Sequence, residues 1–158
     1  MLSKRATWRK GRQPASRGRG RAKVRLDPGT IAVIALGGAI GAPLRVEMLR
    51  LIPAAPGGFP WGTLWVNLSG SFLLGFLVVL LERLAPSRYA RAFLGTGVIG
   101  AYTTFSTFVV EIDLLVTHGR LATAFAYAAL SIGVGFGAVL AGMRSARSFP
   151  NSVRSGGG

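Results

Sequence analysis

Cysteine is absent from the chain, and histidine occurs once, at position 118. The first absence excludes disulfides, thiolate metal sites and redox pairs; the second leaves His118 without a neighbouring histidine to complete a ligand set. Acids are scarce too, with five Asp and Glu against 19 Lys and Arg in 158 residues. No set of serine, histidine and acid can be assembled within the apolar segments, and no phosphate-cradling loop leads into a helix. "GGAIGA" (37–42) lies inside an apolar stretch, where glycines allow helices to approach closely. Neither enzymatic chemistry nor a side-chain metal site is expected.

The chain segregates its charges. Half of its residues are apolar, yet ten of the 19 cations precede Asp27, in "MLSKRATWRKGRQPASRGRGRAKVR". That arm, residues 1–28, has almost no apolar residues and no periodicity, so it is expected to be disordered. Basic blocks of this kind bind phosphate backbones, but without a folded reader they do so non-specifically, and no specific nucleic-acid partner is expected. On a membrane protein such an arm holds the N-terminus on the cytoplasmic side and touches anionic lipid.

After Asp27 the uncharged runs reach membrane length. Trp61–Leu81, Ala92–Val110 and Leu121–Met143 contain 21, 19 and 23 residues without a formal charge, against the ~20 that a spanning helix needs. A fourth run begins at Thr30 and spans only if its helix continues past Arg45 to about Ile52; the alternative is a cleaved signal peptide with "IAVIAL" as its apolar core. The expected fold is therefore all-α and membrane-integral, with four short helices at about 30–52, 61–81, 92–116 and 121–143. They form one domain (29–144), followed by a flexible tail (145–158). The connections are too short to hold a soluble domain.

Polar residues punctuate these spans. Gly37 and Gly41, Ser71 and Gly75, and Gly133 and Gly137 each stand four apart and offer smooth faces to neighbouring helices. Asn67 is costly at mid-span unless hydrogen-bonded, and serves either as glue between helices or as pore lining. In "GAYTTFSTF" (100–108), the hydroxyls could simply bond back to carbonyls one turn earlier. However, Gly95, Gly97 and Gly100 followed by β-branched Thr103 and Thr104 favour a break near Gly100–Thr104. Broken helices at membrane depth are tolerated where the freed backbone is buried or lines a cavity, and bared carbonyls there commonly hold a cation. Phe105 and Phe108, three apart, project from one face; they are packing residues, or present electropositive ring edges to an anion.

"GGAIGAPLR" (37–45), "WGTLWVNLSGSFLLG" (61–75) and "GAYTTFSTFVVE" (100–111), in this order on four short spans, resemble the Fluc (CrcB-type) family of fluoride ion channels. The resemblance covers about residues 31–143 and keeps the first span in the mature protein. It implies an antiparallel, dual-topology dimer with two anion pores lined by both subunits. By the same resemblance, Phe105 and Phe108 match the aromatic pair whose ring edges face fluoride, Asn67 matches the pore amide, and Ser131 matches a hydroxyl of the fourth helix. Thr104, Ser106 and Thr107 are placed along the path or its wall. Gly100 and Thr103 match the break whose backbone carbonyls, from both subunits, enclose a structural sodium ion at the dimer centre. Arg45 and Glu111 fall on charged positions expected near an aqueous vestibule. Val46, Ala101, Tyr102 and Gly135 depart from the family pattern, the last by lacking a hydroxyl.

The implied activity is passive export of fluoride that entered as hydrogen fluoride, giving fluoride resistance. Fluoride is small and strongly hydrated, so a selective path replaces its water with many modest donors. A buried Lys or Arg would hold it too tightly, and the uncharged runs of the second, third and fourth spans contain neither. A proton-coupled exporter of the small multidrug type is the alternative; it needs a titratable carboxylate within a span, and the first two spans lack one before Glu47 and Glu82. A purely structural membrane scaffold would tolerate apolar replacements of Asn67 and the Phe pair.

Cation bias sets the expected orientation. Four spans place both termini and the 82–91 loop on one side, which collects ten cations from the arm, three from the loop and three from the tail, sixteen in all, against Arg45, Arg50 and Arg120 on the other. Both termini are therefore expected in the cytoplasm, the chain being a multi-pass protein of the cell inner (plasma) membrane. A fixed orientation combined with an antiparallel dimer calls for an oppositely oriented, paralogous partner; otherwise the chain is a homodimer.

Overall fold

A computed structural model describes residues 27–55, 57–84 and 87–148, so the arm up to residue 26 and the tail from residue 149 lie outside the described residues. Every regular element among those described is helical: α1 (Pro28–Leu51), α2 (Trp61–Leu84), α3 (Arg88–Arg91), a π-helical stretch (Ala92–Ile99), α4 (Gly100–Tyr102), α5 (Phe105–Thr117) and α6 (Leu121–Arg147). Four spans are long and apolar enough to cross a membrane: α1, α2, the composite Arg88–Thr117 and α6. The expected all-α, four-span architecture is thus the observed one, and the chain is a multi-pass membrane protein.

Helix ends overrun the apolar runs that defined them. α1 starts at Pro28, a residue suited to a first turn, behind an Asp27 N-cap whose carboxylate accepts from Thr30 N–H at 3.2 Å and Thr30 Oγ1 at 3.0 Å. The Thr30 hydroxyl, then Tyr89, holds the Asp27 carboxyl below the usual carboxylate range. As expected, α1 continues past Arg45, and it carries Pro43 within it. α2 extends through Glu82 and Arg83 to Leu84, and α6 continues past Met143 to Arg147, three residues into the expected tail. Charge does not end a helix at the membrane edge, because long cationic side chains reach outward to the polar layer. Arg83 also donates to the carbonyls of Ala146 at 3.0 Å and Arg147 at 3.1 Å, satisfying groups that the end of α6 leaves open.

Small residues set the helix spacing, though not all where the sequence placed them. A side chain on Gly37 or Gly41 would collide with the Phe93 or Val98 carbonyl, so α1 lies directly on the π-helical stretch. A side chain on Gly75 would meet the Val139 carbonyl, and one on Gly142 the Phe72 carbonyl, which makes α2 and α6 the broadest pair. Gly133 and Gly137, expected to offer a packing face, have no atom within 4 Å of a Cβ built on either. α6 makes its close approach at Gly142 instead. The uncovered part of α6 also carries Ile132 and Phe136, both about two-thirds exposed, an apolar face left to lipid or another subunit. The interior is built from Leu64, Leu115, Ala124 and Tyr127, between α2, α5 and α6.

Candidate functional site

The third span breaks within the expected interval, at Thr103 and Thr104. Both are extended, with φ/ψ of −74°/157° and −145°/118°. The glycines before them do not break the helix: Gly95 and Gly97 lie in the π-helical stretch, and Gly100 is itself helical. Low helical propensity is accommodated there by a wider turn, and Gly97 packs against Gly37. The break places two opposite dipole ends together. Upstream, the Gly100 carbonyl loses its i+4 donor, because Thr104 N–H donates to Asn67 Oδ1 at 2.9 Å. Downstream, α5 begins with first-turn N–H groups that have no partner within the helix, as at every helix start, of which that of Thr107 is capped by Thr104 Oγ1.

Asn67 fixes this geometry. Its Nδ2 donates to the Thr104 carbonyl at 2.9 Å while its Oδ1 accepts from Thr104 N–H, so the primary amide pairs with a backbone amide as a strand would. The reciprocal bonds also fix which end of the side chain is oxygen. A primary amide has two N–H groups, and one of them is used among the described residues. Glue and lining were alternatives for Asn67 in the sequence; the structure makes it glue for the break and leaves one donor over.

An open groove of 340 Å³ runs beside the break. It brings together Asn67, Gly100, Thr103, Thr104, Phe105, Phe108 and Ser131, seven of the site residues expected from sequence, along with Ser71. The Ser131 hydroxyl is buried and has no hydrogen-bond partner among the described residues. Phe105 is 76% exposed, and its ring lies 5.8 Å from that of Phe108. Ser106 and Thr107 do not line the groove. Thr104 Oγ1 caps α5 by accepting from Thr107 N–H at 3.2 Å, donates to Thr107 Oγ1 at 2.9 Å and lies 3.3 Å from Ser106 Oγ, so these hydroxyls serve the helix start.

Of the two charged site residues, one touches the break and the other lies beyond it. Arg45 Nη1 approaches the Thr103 carbonyl at 3.4 Å. Glu111 is farther along α5, where one carboxylate oxygen accepts from Thr63 Oγ1 and the other from the Tyr127 hydroxyl, both at 2.7 Å. Thr63 and Tyr127 are almost completely buried. A row of rings links this cluster to the groove: Tyr127 lies 5.2 Å from Phe108, and Phe59 packs on its other side at 5.5 Å.

Thr63 and Tyr127 were not singled out in the sequence. A signal for them existed: an acid inside a span requires donors at its own depth, and hydroxyls on the adjoining helices were the candidates. The partner of Tyr102 was equally hidden; its hydroxyl lies 2.9 Å from Ser69 Oγ.

The chain is similar in sequence to known proteins over all four spans. The family described as CrcB-like protein, Camphor Resistance (CrcB), matches residues 32–143, which hold all four spans except their outer turns. A protein of Rhizobium meliloti named fluoride-specific ion channel FluC is 42% identical over 120 residues, 75% of this chain and 96% of that protein. One of the same name from Deinococcus radiodurans is 49% identical over 111 residues, 69% and 88% of the two chains. Fluoride-specific ion channel FluC 2 of Streptomyces avermitilis is 47% identical over 103 residues, 65% of each. With one family matching from the first span to the last and the break, amide and aromatic pair inside the match, the chain belongs to the CrcB family.

Proposed function

We propose that this chain is a subunit of a fluoride-selective ion channel that lets cytoplasmic fluoride leave passively. The reading is carried by one observation: the groove joins the unpartnered Ser131 hydroxyl, the spare N–H of Asn67 and the Phe105 ring, with no Lys or Arg among its lining residues. Modest, uncharged donors can replace the water of a small anion without trapping it, and the N-terminal end of α5 adds a favourable dipole. Export follows from chemistry: hydrogen fluoride enters as a neutral weak acid, ionises inside, and the ion leaves down its gradient. Transport in this family is conduction rather than catalysis. Coupling to protons would need a carboxylate on the path, and no Asp or Glu is among the residues that line the groove.

The assembly is part of the proposal. A single chain leaves its groove open on one side and the Ile132–Phe136 face uncovered, which supports an antiparallel second subunit closing the path. The donor-deprived Gly100 carbonyl suits a hard alkali cation, and a structural sodium ion at the dimer centre is part of this reading; the Thr103 carbonyl would join it only by giving up its Arg45 donor at 3.4 Å, and a bound ion would screen the facing carbonyls from one another. Two carbonyls from one chain are too few, and the partner would supply the rest. The cation bias supports cytoplasmic termini in the inner (plasma) membrane and an oppositely oriented paralogous partner.

Expression in bacteria stripped of their own fluoride exporters tests this. The chain with its partner is expected to restore growth in fluoride, and a C-terminal reporter on the chain alone to be active on the cytoplasmic face only. Correctly inserted protein that gives no protection would contradict the function. A reporter active on both faces, with resistance restored by the chain alone, would make it a self-sufficient homodimer.

A further inference from the structure

We propose that Tyr102 and Ser69 form a positioning contact that holds the upstream half of the broken helix in register with its downstream half. Three consecutive residues of the break rest on one stretch of α2. Tyr102 reaches Ser69 at 2.9 Å, the Thr103 methyl lies where a side chain on Gly70 would be, and Thr104 pairs with Asn67. The Asn67 pair anchors the downstream side of the break only. On the upstream side, the Tyr102 hydroxyl is the one side-chain hydrogen bond from α4 to α2 among the described residues.

The direction of that bond follows from the neighbours. A serine hydroxyl has a single hydrogen, and Ser69 Oγ gives it to the Trp65 carbonyl at 2.7 Å, so Tyr102 is the donor and Ser69 the acceptor. Tyr102 is only 9% exposed, and its ring is wedged over Gly70, so its hydroxyl cannot turn to solvent instead. The segment it steadies is soft. A π-helical stretch with three glycines in or next to it precedes Tyr102, and two extended residues follow it. Without the anchor, α4 is held only by its packing on α1 and by the Arg45 contact to the Thr103 carbonyl, and nothing polar fixes it to α2.

The two partners are chemically unequal, which makes the proposal specific. Tyr102→Phe removes the donor and leaves Ser69 bonded to Trp65. Ser69→Ala strands a buried hydroxyl with no acceptor, the costlier change. Hydrogen exchange read by mass spectrometry on the purified full chain tests this. In Tyr102→Phe, amides of 103–106 are expected to exchange about 2- to 10-fold faster, the range set by one ordinary hydrogen bond. Ser69→Ala should exceed this, and the double variant should return to the Tyr102→Phe level, with α6 unchanged. Fluoride flux from liposomes should follow the same order at unchanged assembly.

Unaltered exchange at 103–106 in all three variants, or effects that add in the double variant, would overturn the contact. Exchange that couples as expected while flux stays at the wild-type level would overturn its positioning role. The flux arm rests on the channel proposal, and the two fail differently: a wild-type chain that passes no fluoride sinks the channel, while the exchange cycle still decides the contact.

Discussion

Asn67→Leu is expected to silence fluoride flux, by at least about 100-fold, because it strands the N–H and C=O of Thr104 at a buried site, at about 1–3 kcal/mol for each group. Thr104 is 5% exposed, and both of its backbone groups are held by the Asn67 amide at 2.9 Å. Leucine is close in volume, so packing is kept while the break loses its downstream anchor and the groove loses its spare donor. Asn67→Asp should fail as well. It keeps an acceptor for Thr104 N–H, yet it removes the donor to the carbonyl and sets a negative charge beside an anion path. Flux from liposomes containing correctly assembled variants is the measurement. Survival of flux in Asn67→Leu would mean that the groove beside the break is not the path.

The aromatic pair should separate into a transport effect and a stability effect. Phe105→Ile and Phe108→Ile are each expected to lower flux about 10-fold, since the apolar volume remains while an electropositive ring edge is lost. Their cost to the fold should differ. Phe105 is 76% exposed within the chain, whereas Phe108 packs against the buried Tyr127 ring at 5.2 Å and belongs to the same apolar cluster. Phe108→Ile should therefore also lower the unfolding temperature, by an amount corresponding to about 1 kcal/mol, and Phe105→Ile should not. Flux unchanged in both variants would return the pair to a packing role.

Much of this was legible because the membrane makes the sequence rules strict. Uncharged runs revealed three of the spans, since backbone in lipid must satisfy itself, while the first needed its helix to run on past Arg45, as it does. The run of glycines before two threonines located the break to within a few residues, but it did not show which residues would leave the helix. The glycines instead lie in or beside a π-helical stretch, whose low helical propensity takes a wider turn and whose Gly97 lets α1 pack closely. The ends of α2 and α6 were placed too early because the uncharged runs stop at Glu82 and Arg144; both helices continue, and Arg83 within α2 binds the end of α6. The spacing of Gly133 and Gly137 was read as a packing face, yet spacing cannot tell which side of a helix meets its neighbour. The Thr63–Glu111–Tyr127 cluster joins three helices through side chains 16 to 64 positions apart, and only the fold brings them together. Ser106 and Thr107 were placed along the path or its wall through the family resemblance; in the fold Thr104 Oγ1 bonds Thr107 and lies beside Ser106 at the start of α5, and neither residue lines the groove.

The central claim is that the assembled protein conducts fluoride and rejects chloride. Purified protein, reconstituted with its partner in liposomes loaded with both ions, answers it through ion-selective electrodes after the membrane potential is clamped. Fluoride should leave far faster than from empty liposomes while chloride stays inside. No fluoride release from protein shown to be assembled, or chloride leaving alongside it, would contradict the claim.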